Sequence, residues 1–224
     1  MAQRTRADAL SRERIVEAAI ELLDANGERG LTFRTLTERL ATGPGAIYWH
    51  VPNKGELLAA ATASVIGDAL AVAVTGSPWE EIHALALGLF DAVEQHPWLS
   101  SQLAVQRSHS PWGSVTPRIF ESIGRRVSAL GVPEATWFTA TSALAHYIFG
   151  AAGQNAANAQ VLRLGGTDRA EFISAAVDAW EGLDPGKFPF LRSIADQVRE
   201  HDDREQFLTG IDLILTGITA QGRT

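Results

Sequence analysis

Between Ser11 and Asn53 the chain marks out three short helices in about forty residues, and that punctuation constrains the fold more than any other feature. Ser11 is an N-cap, and Ile15, Ala18, Ala19, Leu22 and Leu23 follow at helical spacing. Asn26-Gly27 stops this helix, since Gly27 can take the left-handed conformation beyond a helix end. Thr32 caps a second helix with Leu36 and Leu40 on its inner face. After Ala41-Thr42-Gly43, Pro44 occupies the first helical position, where its missing N–H costs nothing. Val51-Pro52 then ends a third helix of only about Pro44 to His50. Asn53, with Glu56 three residues on, caps a fourth helix that runs through about Ala73. Helices this short cannot each enclose a core, so they must pack on one another.

Gly76-Ser77-Pro78 is the clearest break in the rest of the chain. Trp79–Gln95 reads as a helix with Ile82, Leu85, Leu89, Phe90 and Val93 inward, stopped by His96-Pro97. A short segment to about Arg107, a Ser/Pro loop over 108–117 and a helix to Leu130 follow. Pro133 opens a long helix through about Ala157, and 168–182 and 189–200 read as two more. Phe207, Ile211, Ile214, Leu215 and Ile218 share one face of a final helix. No alternating β pattern or internal repeat occurs, so the fold class is all-α. The expected division is a three-helix head over 1–55, the fourth helix to about 75 as connector, and a larger helical domain over 56–224.

Composition narrows the function. The chain has no cysteine, which excludes disulfides, thiolate metal sites and cysteine nucleophiles. It has no secretory leader and no apolar run long enough to span a bilayer, so no membrane partner and a cytoplasmic location are expected. The net charge of −7 is unevenly spread: residues 1–60 hold eight Lys/Arg and eight Asp/Glu, the remainder eleven and eighteen. Arg4, Arg6, Arg12 and Arg14 crowd the first fourteen residues. A neutral head with a basic arm on an acidic body is compatible with binding DNA through the head alone. No GxSxG, HExxH or phosphate-binding loop is present, and an enzyme is not expected.

The stretch GPGAIYWHVPNK, Gly43 to Lys54, carries the sharpest functional signal. Two helices joined by a tight turn make a helix-turn-helix, whose second member enters the major groove. Ile47 faces inward, leaving Pro44, Gly45, Ala46, Tyr48, Trp49 and His50 on the other face. Pro44 and Ala46 can touch thymine methyl groups, while Tyr48, His50 and Lys54 can donate to phosphate oxygens. Taken alone, a Tyr-Trp pair at a helix end is more often a packed corner, and Trp49 can be read as packing on the fourth helix. The correctly placed preceding helices favour DNA.

The run LTFRTLTERLATGPGAIYWHVPNKGELL resembles the headpiece of the TetR (tetracycline repressor) family of transcriptional regulators. The resemblance is close over roughly residues 11–60 and only architectural beyond. It implies that Thr32, Tyr48 and Lys54 contact phosphates, that Arg34 reaches a base, and that Pro44, Gly45 and Ala46 occupy base-reading positions. Gly43 departs from the usual serine-like cap, and the base-reading positions carry no amide or guanidinium. Direct readout from the third helix should therefore rest on apolar contact and shape.

A lone helix-turn-helix makes too few contacts for specificity, so a homodimer reading two half-sites of double-stranded operator DNA is expected. The seam assigned from the apolar pattern is Ile148, Phe207, Ile211, Ile214, Leu215 and Ile218, with Gly210 and Gly217 allowing close approach; the resemblance implies the same two helices. For a small-molecule effector, Phe90, Trp98, Trp112, Trp137, His146, Tyr147, Phe149 and Gln154 are the assigned lining, and the effector is expected to be largely apolar. Tetracycline repressors hold drug and magnesium with histidines at positions that read Leu70 and Leu103 here. No metal, no cofactor and a ligand other than magnesium–tetracycline are therefore expected. The resemblance implies a repressor released from its operator by the effector. The alternative is a helical ligand-binding or adaptor protein without operator binding.

Overall fold

The structure, a computed structural model, describes residues 10–71, 76–109, 113, 115–166 and 168–220. Ser11 caps α1 (Arg12–Gly30) by accepting the Arg14 N–H. Gly27 breaks its regularity with φ 63° and ψ −172°. The φ is positive as expected, but this extended ψ is open essentially to glycine alone, and one more turn follows instead of a stop. Thr32 caps α2 (Phe33–Leu40) in a reciprocal box with Thr35. Asn53 caps α4 (Lys54–Leu70) by accepting the Glu56 N–H, and between them lies α3 (Pro44–His50).

The turn from α2 to α3 passes through Ala41 at φ 48°, ψ 47°, the described residue other than glycine with positive φ. The left-handed region crowds any Cβ and is worst for β-branched side chains. Ala41→Val is therefore expected to lower stability by about 1–2 kcal/mol, measured by urea unfolding. An unchanged midpoint would show that the turn relaxes freely.

The body begins with α5 (Pro78–Gln95), capped by a Ser77–Glu80 box. The backbone and hydroxyl of Ser77 hold the Glu80 carboxyl below its usual range. Then come α6 (Trp98–His109), α7 (Val115–Ala129) and a 3-10 turn at Glu134–Thr136. The long helix is α8 (Trp137–Gly165), about two turns longer than the sequence pattern indicated, and Gly166 ends it in the left-handed conformation. The segment 189–200 is two helices, α10 (Pro189–Ser193) and α11 (Ala195–Glu200), broken at Ile194, rather than one. They pack on α9 (Arg169–Glu181) around a small separate core of Val177 and Ala195. Arg199 ties this unit together through Glu181, Asp178 and Asp196, which keep its guanidinium firmly charged.

The last helix, α12 (Asp203–Ala220), lies against α8 and α5. Its apolar stripe of Phe207, Ile211, Leu215 and Ile218 is buried inside its own protomer, as is Ile148 of α8, and Ile214 is half-buried on the same core. This corrects the expected dimer seam: an amphipathic helix has one apolar face, and here that face closes the protomer's own core. Gly210 does permit a close approach, but to α8 of the same chain, since a Cβ there would lie 1.8 Å from the Tyr147 hydroxyl. The main core runs without interruption from α1 to α12 through α4, which touches α1, α5, α6 and α7. Among the described residues no helix is long and apolar enough to cross a membrane.

Candidate nucleic-acid interface and effector cleft

The head works as a mount for α3. Ile47 is fully buried in the core that Ile15, Leu31, Leu36 and Val51 also enter, so a seven-residue helix with little stability of its own is held in place. That anchoring turns Pro44, Gly45, Ala46, Tyr48 and Trp49 outward. Trp49 is 87% exposed and Tyr48 49% exposed, so the reading of Trp49 as a packing residue on α4 does not hold. His50 is half-exposed. The Tyr48 ring stacks on Phe33 of α2 at 4.4 Å between centroids and 12° between planes. Its hydroxyl has no protein partner among the described residues and stays available to a phosphate.

Arg34 extends into solvent from the first turn of α2, with only its Nε engaged, to Glu38 at 3.0 Å. Its two terminal nitrogens are unpaired among the described residues, which leaves the guanidinium fork able to meet a base edge. The Thr32 hydroxyl accepts the Thr35 N–H in its capping box and remains exposed at the start of α2. Lys54 Nζ donates to the Glu28 carbonyl at 2.7 Å, so it sits at the junction of α1 and α4 beside the outward face. Arg12 and Arg14 lie at the exposed start of α1, whereas Arg4 and Arg6 lie outside the described residues. Phe33 escaped the sequence reading because it pairs with a ring fifteen positions away, beyond any local periodicity.

In the body, two adjoining clefts of about 630 and 500 Å³ share Asn155, His201, Asp202 and Asp203. Both volumes suit a small organic ligand. Tyr147, Gln154, Phe207 and Leu213 line the first; Phe90, Glu94, Asn158, Leu162, Arg163 and Phe172 are among those lining the second. Burial pushes the Tyr147 phenol up, so it remains protonated and donates to the Phe207 carbonyl at 3.2 Å. Arg169 is held by Asp203, which with burial against it still leaves its guanidinium more basic than usual. Asp202 caps α12, and the Glu205 N–H is the main reason its carboxyl lies below the usual range.

Of the residues assigned to the effector, Phe90, Tyr147 and Gln154 reach these clefts, and Asn155 and Asn158 join them. The others do not. The Trp98 indole turns to Asp24 of α1 at 2.7 Å, because a buried N–H needs an acceptor. Trp137 bonds the Val132 carbonyl at the α8 corner. His146 faces solvent, Phe149 packs half-buried on the main core, and Trp112 lies outside the described residues. Leu103 is core and Leu70 half-buried beside it.

Comparison with known proteins matches residues 15–61 to the family described as bacterial regulatory proteins, tetR family, and residues 75–221 to the tetracyclin repressor-like C-terminal domain. The solved structure of SCO7222, a TetR from Streptomyces coelicolor, is 64% identical with a TM-score of 0.88, covering 96% of this chain and 100% of that one. The HTH-type transcriptional repressor DrrR1 of Streptomyces coeruleorubidus is 29% identical over 93% of this chain and 77% of its own. The class D tetracycline repressor of Escherichia coli is 26% identical over 95% of this chain and 90% of its own.

Proposed function

The chain belongs to the tetR family of bacterial regulatory proteins and is a DNA-binding, ligand-responsive transcriptional regulator, and from that premise we propose how its residues divide the work. Residues 1–55 read operator DNA, α4 is the connector, and 56–224 pair the protomers and take the effector. Tyr48, Lys54 and Thr32 contact phosphates, Arg34 is the hydrogen-bonding base reader, and Pro44, Gly45 and Ala46 read by apolar contact, with Trp49 and His50 completing the face. The observation that carries this is the outward display of Tyr48, Trp49 and the free Arg34 fork around a buried Ile47.

Pairing uses the faces of α8 and α12 turned away from the core. On α12 these are Thr209, Leu213, Thr216 and Gly217; on α8, Ala143, His146 and Gly150. The first cleft carries Thr209 and Leu213 and so opens onto that pairing face. The effector, a small, largely apolar organic molecule, is assigned to the second, beside Phe90 and Phe172, with Asn155 and Asn158 supplying polar contacts. It releases the protein from DNA by binding the DNA-incompetent arrangement more tightly, by about 1–3 kcal/mol. No reaction is catalysed.

The test is selection of an operator from random duplexes, followed by fluorescence anisotropy across a salt series. Arg34→Ala with Lys54→Ala is expected to weaken binding about 10- to 100-fold and to lower the slope of log affinity against log salt by about one to two. A double variant that binds with unchanged affinity and slope overturns the roles given to Arg34 and Lys54, and a parent protein that selects no operator supports the adaptor reading instead.

A further inference from the structure

One helix of the body, α6, touches both α1 of the head and the connector α4, and its polar side chains meet them at a fixed spacing. Trp98, Gln102 and Gln106 recur every four residues and so share one face of α6. Trp98 Nε1 donates to Asp24 Oδ1 of α1 at 2.7 Å, and the His96 ring meets the same oxygen at 2.7 Å. Gln102 Nε2 donates to Glu28 Oε2, also of α1, at 2.8 Å. Gln106 Nε2 donates to Thr62 Oγ1 of α4 at 3.0 Å, and that hydroxyl in turn donates to the Leu58 carbonyl at 2.8 Å.

Three features set this ladder apart from ordinary surface polarity. Trp98, Gln102 and Thr62 are buried, whereas the acceptors Asp24 and Glu28 are exposed and Thr62 keeps its bond to Leu58, so removing a donor frees the head without stranding a desolvated group. The kink at Gly27 lies between the two acceptors on α1, and Glu28 beyond it receives Gln102 on its side chain and Lys54 on its carbonyl. The ladder thus ends on a residue of the DNA face. Its other end begins at the stop of α5, where Glu94 lines the effector cleft two residues before His96.

We propose that Trp98, Gln102 and Gln106 are positioning residues that hold the head at the angle the duplex requires and carry a shift of the body to α1 and α4 together. Directional hydrogen bonds suit this role better than apolar contact, which tolerates sliding. The proposal rests on the chain being an operator-binding dimer; its main readout needs the dimer but not the operator.

Because the chain has no cysteine, Glu17→Cys on the exposed face of α1 gives one labelling site per protomer. A nitroxide there reports the head-to-head distance in the dimer by double electron–electron resonance. In that background Gln102→Leu with Gln106→Leu is expected to broaden the distance distribution and weaken operator binding about tenfold or more, a typical coupling between sites. The dimer and the thermal midpoint are expected to stay as in the parent. Trp98→Phe, which keeps the ring and removes only the N–H, should move both readouts the same way. An unchanged, narrow distribution in both variants overturns the proposal, as does a thermal midpoint that falls in step with affinity. Should the double variant not fold, Trp98→Phe alone decides by the same criteria. If the parent selects no operator at all, the proposed function fails, and the distance distribution still decides the ladder.

Discussion

Ile47→Ala is expected to remove operator binding while leaving the body of the protein folded. The side chain is fully buried and is the one buried residue of α3. Truncating a core isoleucine costs about 2–5 kcal/mol through lost transfer energy and the cavity left behind. A seven-residue helix cannot absorb that loss, because its own propensity does not sustain it in water. Its remaining tie is the stack of Tyr48 on Phe33, which is half-exposed and holds only one end. Since about 1.4 kcal/mol is a tenfold change in a binding constant, operator affinity should fall by about thirtyfold or more. Amide exchange should accelerate in α3 and the start of α4, while α5, α8 and α12 keep their protection. An operator dissociation constant within threefold of the parent would show that α3 is positioned by something other than this anchor.

The elements that proved legible in the sequence are those whose cause is local. The caps at Ser11, Thr32 and Asn53 depend on side chains within three residues, and each forms as the pattern indicates; the break at 76–78 also holds, with Ser77 capping α5. The inward Ile47 and outward Tyr48 follow from helical periodicity alone. What the sequence left open was decided by distant partners. The stripe on α12 told which residues were buried but not against what, and the answer was α8 and α5 of the same chain. Aromatic content suggested a cavity, yet Trp98 and Trp137 are taken by acceptors at Asp24 and Val132. A donor's choice among acceptors depends on tertiary geometry, which spacing does not encode. The break at Ile194 accompanies a distant packing of the same kind, since α10 and α11 each contact α9.

Leu213→Asp is expected to convert the dimer to a folded monomer and to abolish tight operator binding. The Phe207 stripe is buried in the protomer, and the pairing proposed above uses the opposite face of α12. Leu213 is the large apolar side chain there, 72% exposed in the single protomer, flanked by Thr209, Thr216 and Gly217. Gly217 has open space where a Cβ would stand, so a second backbone can come near. In a two-fold interface the same patch meets itself, and the substitution sets two carboxylates against each other in a desolvated seam. Losing the second head removes the avidity of two linked half-sites, about a 10²- to 10⁴-fold loss. Sedimentation velocity should report a monomer at micromolar concentration, and anisotropy should report weak, salt-sensitive binding. Far-UV circular dichroism should remain helical, because Leu213 takes no part in the protomer's core. Leu215→Asp, one helical face away and fully buried, should instead unfold the chain. If Leu213→Asp stays dimeric, the seam lies elsewhere on α8, and its outward residues Ala143, His146 and Gly150 become the ones to change.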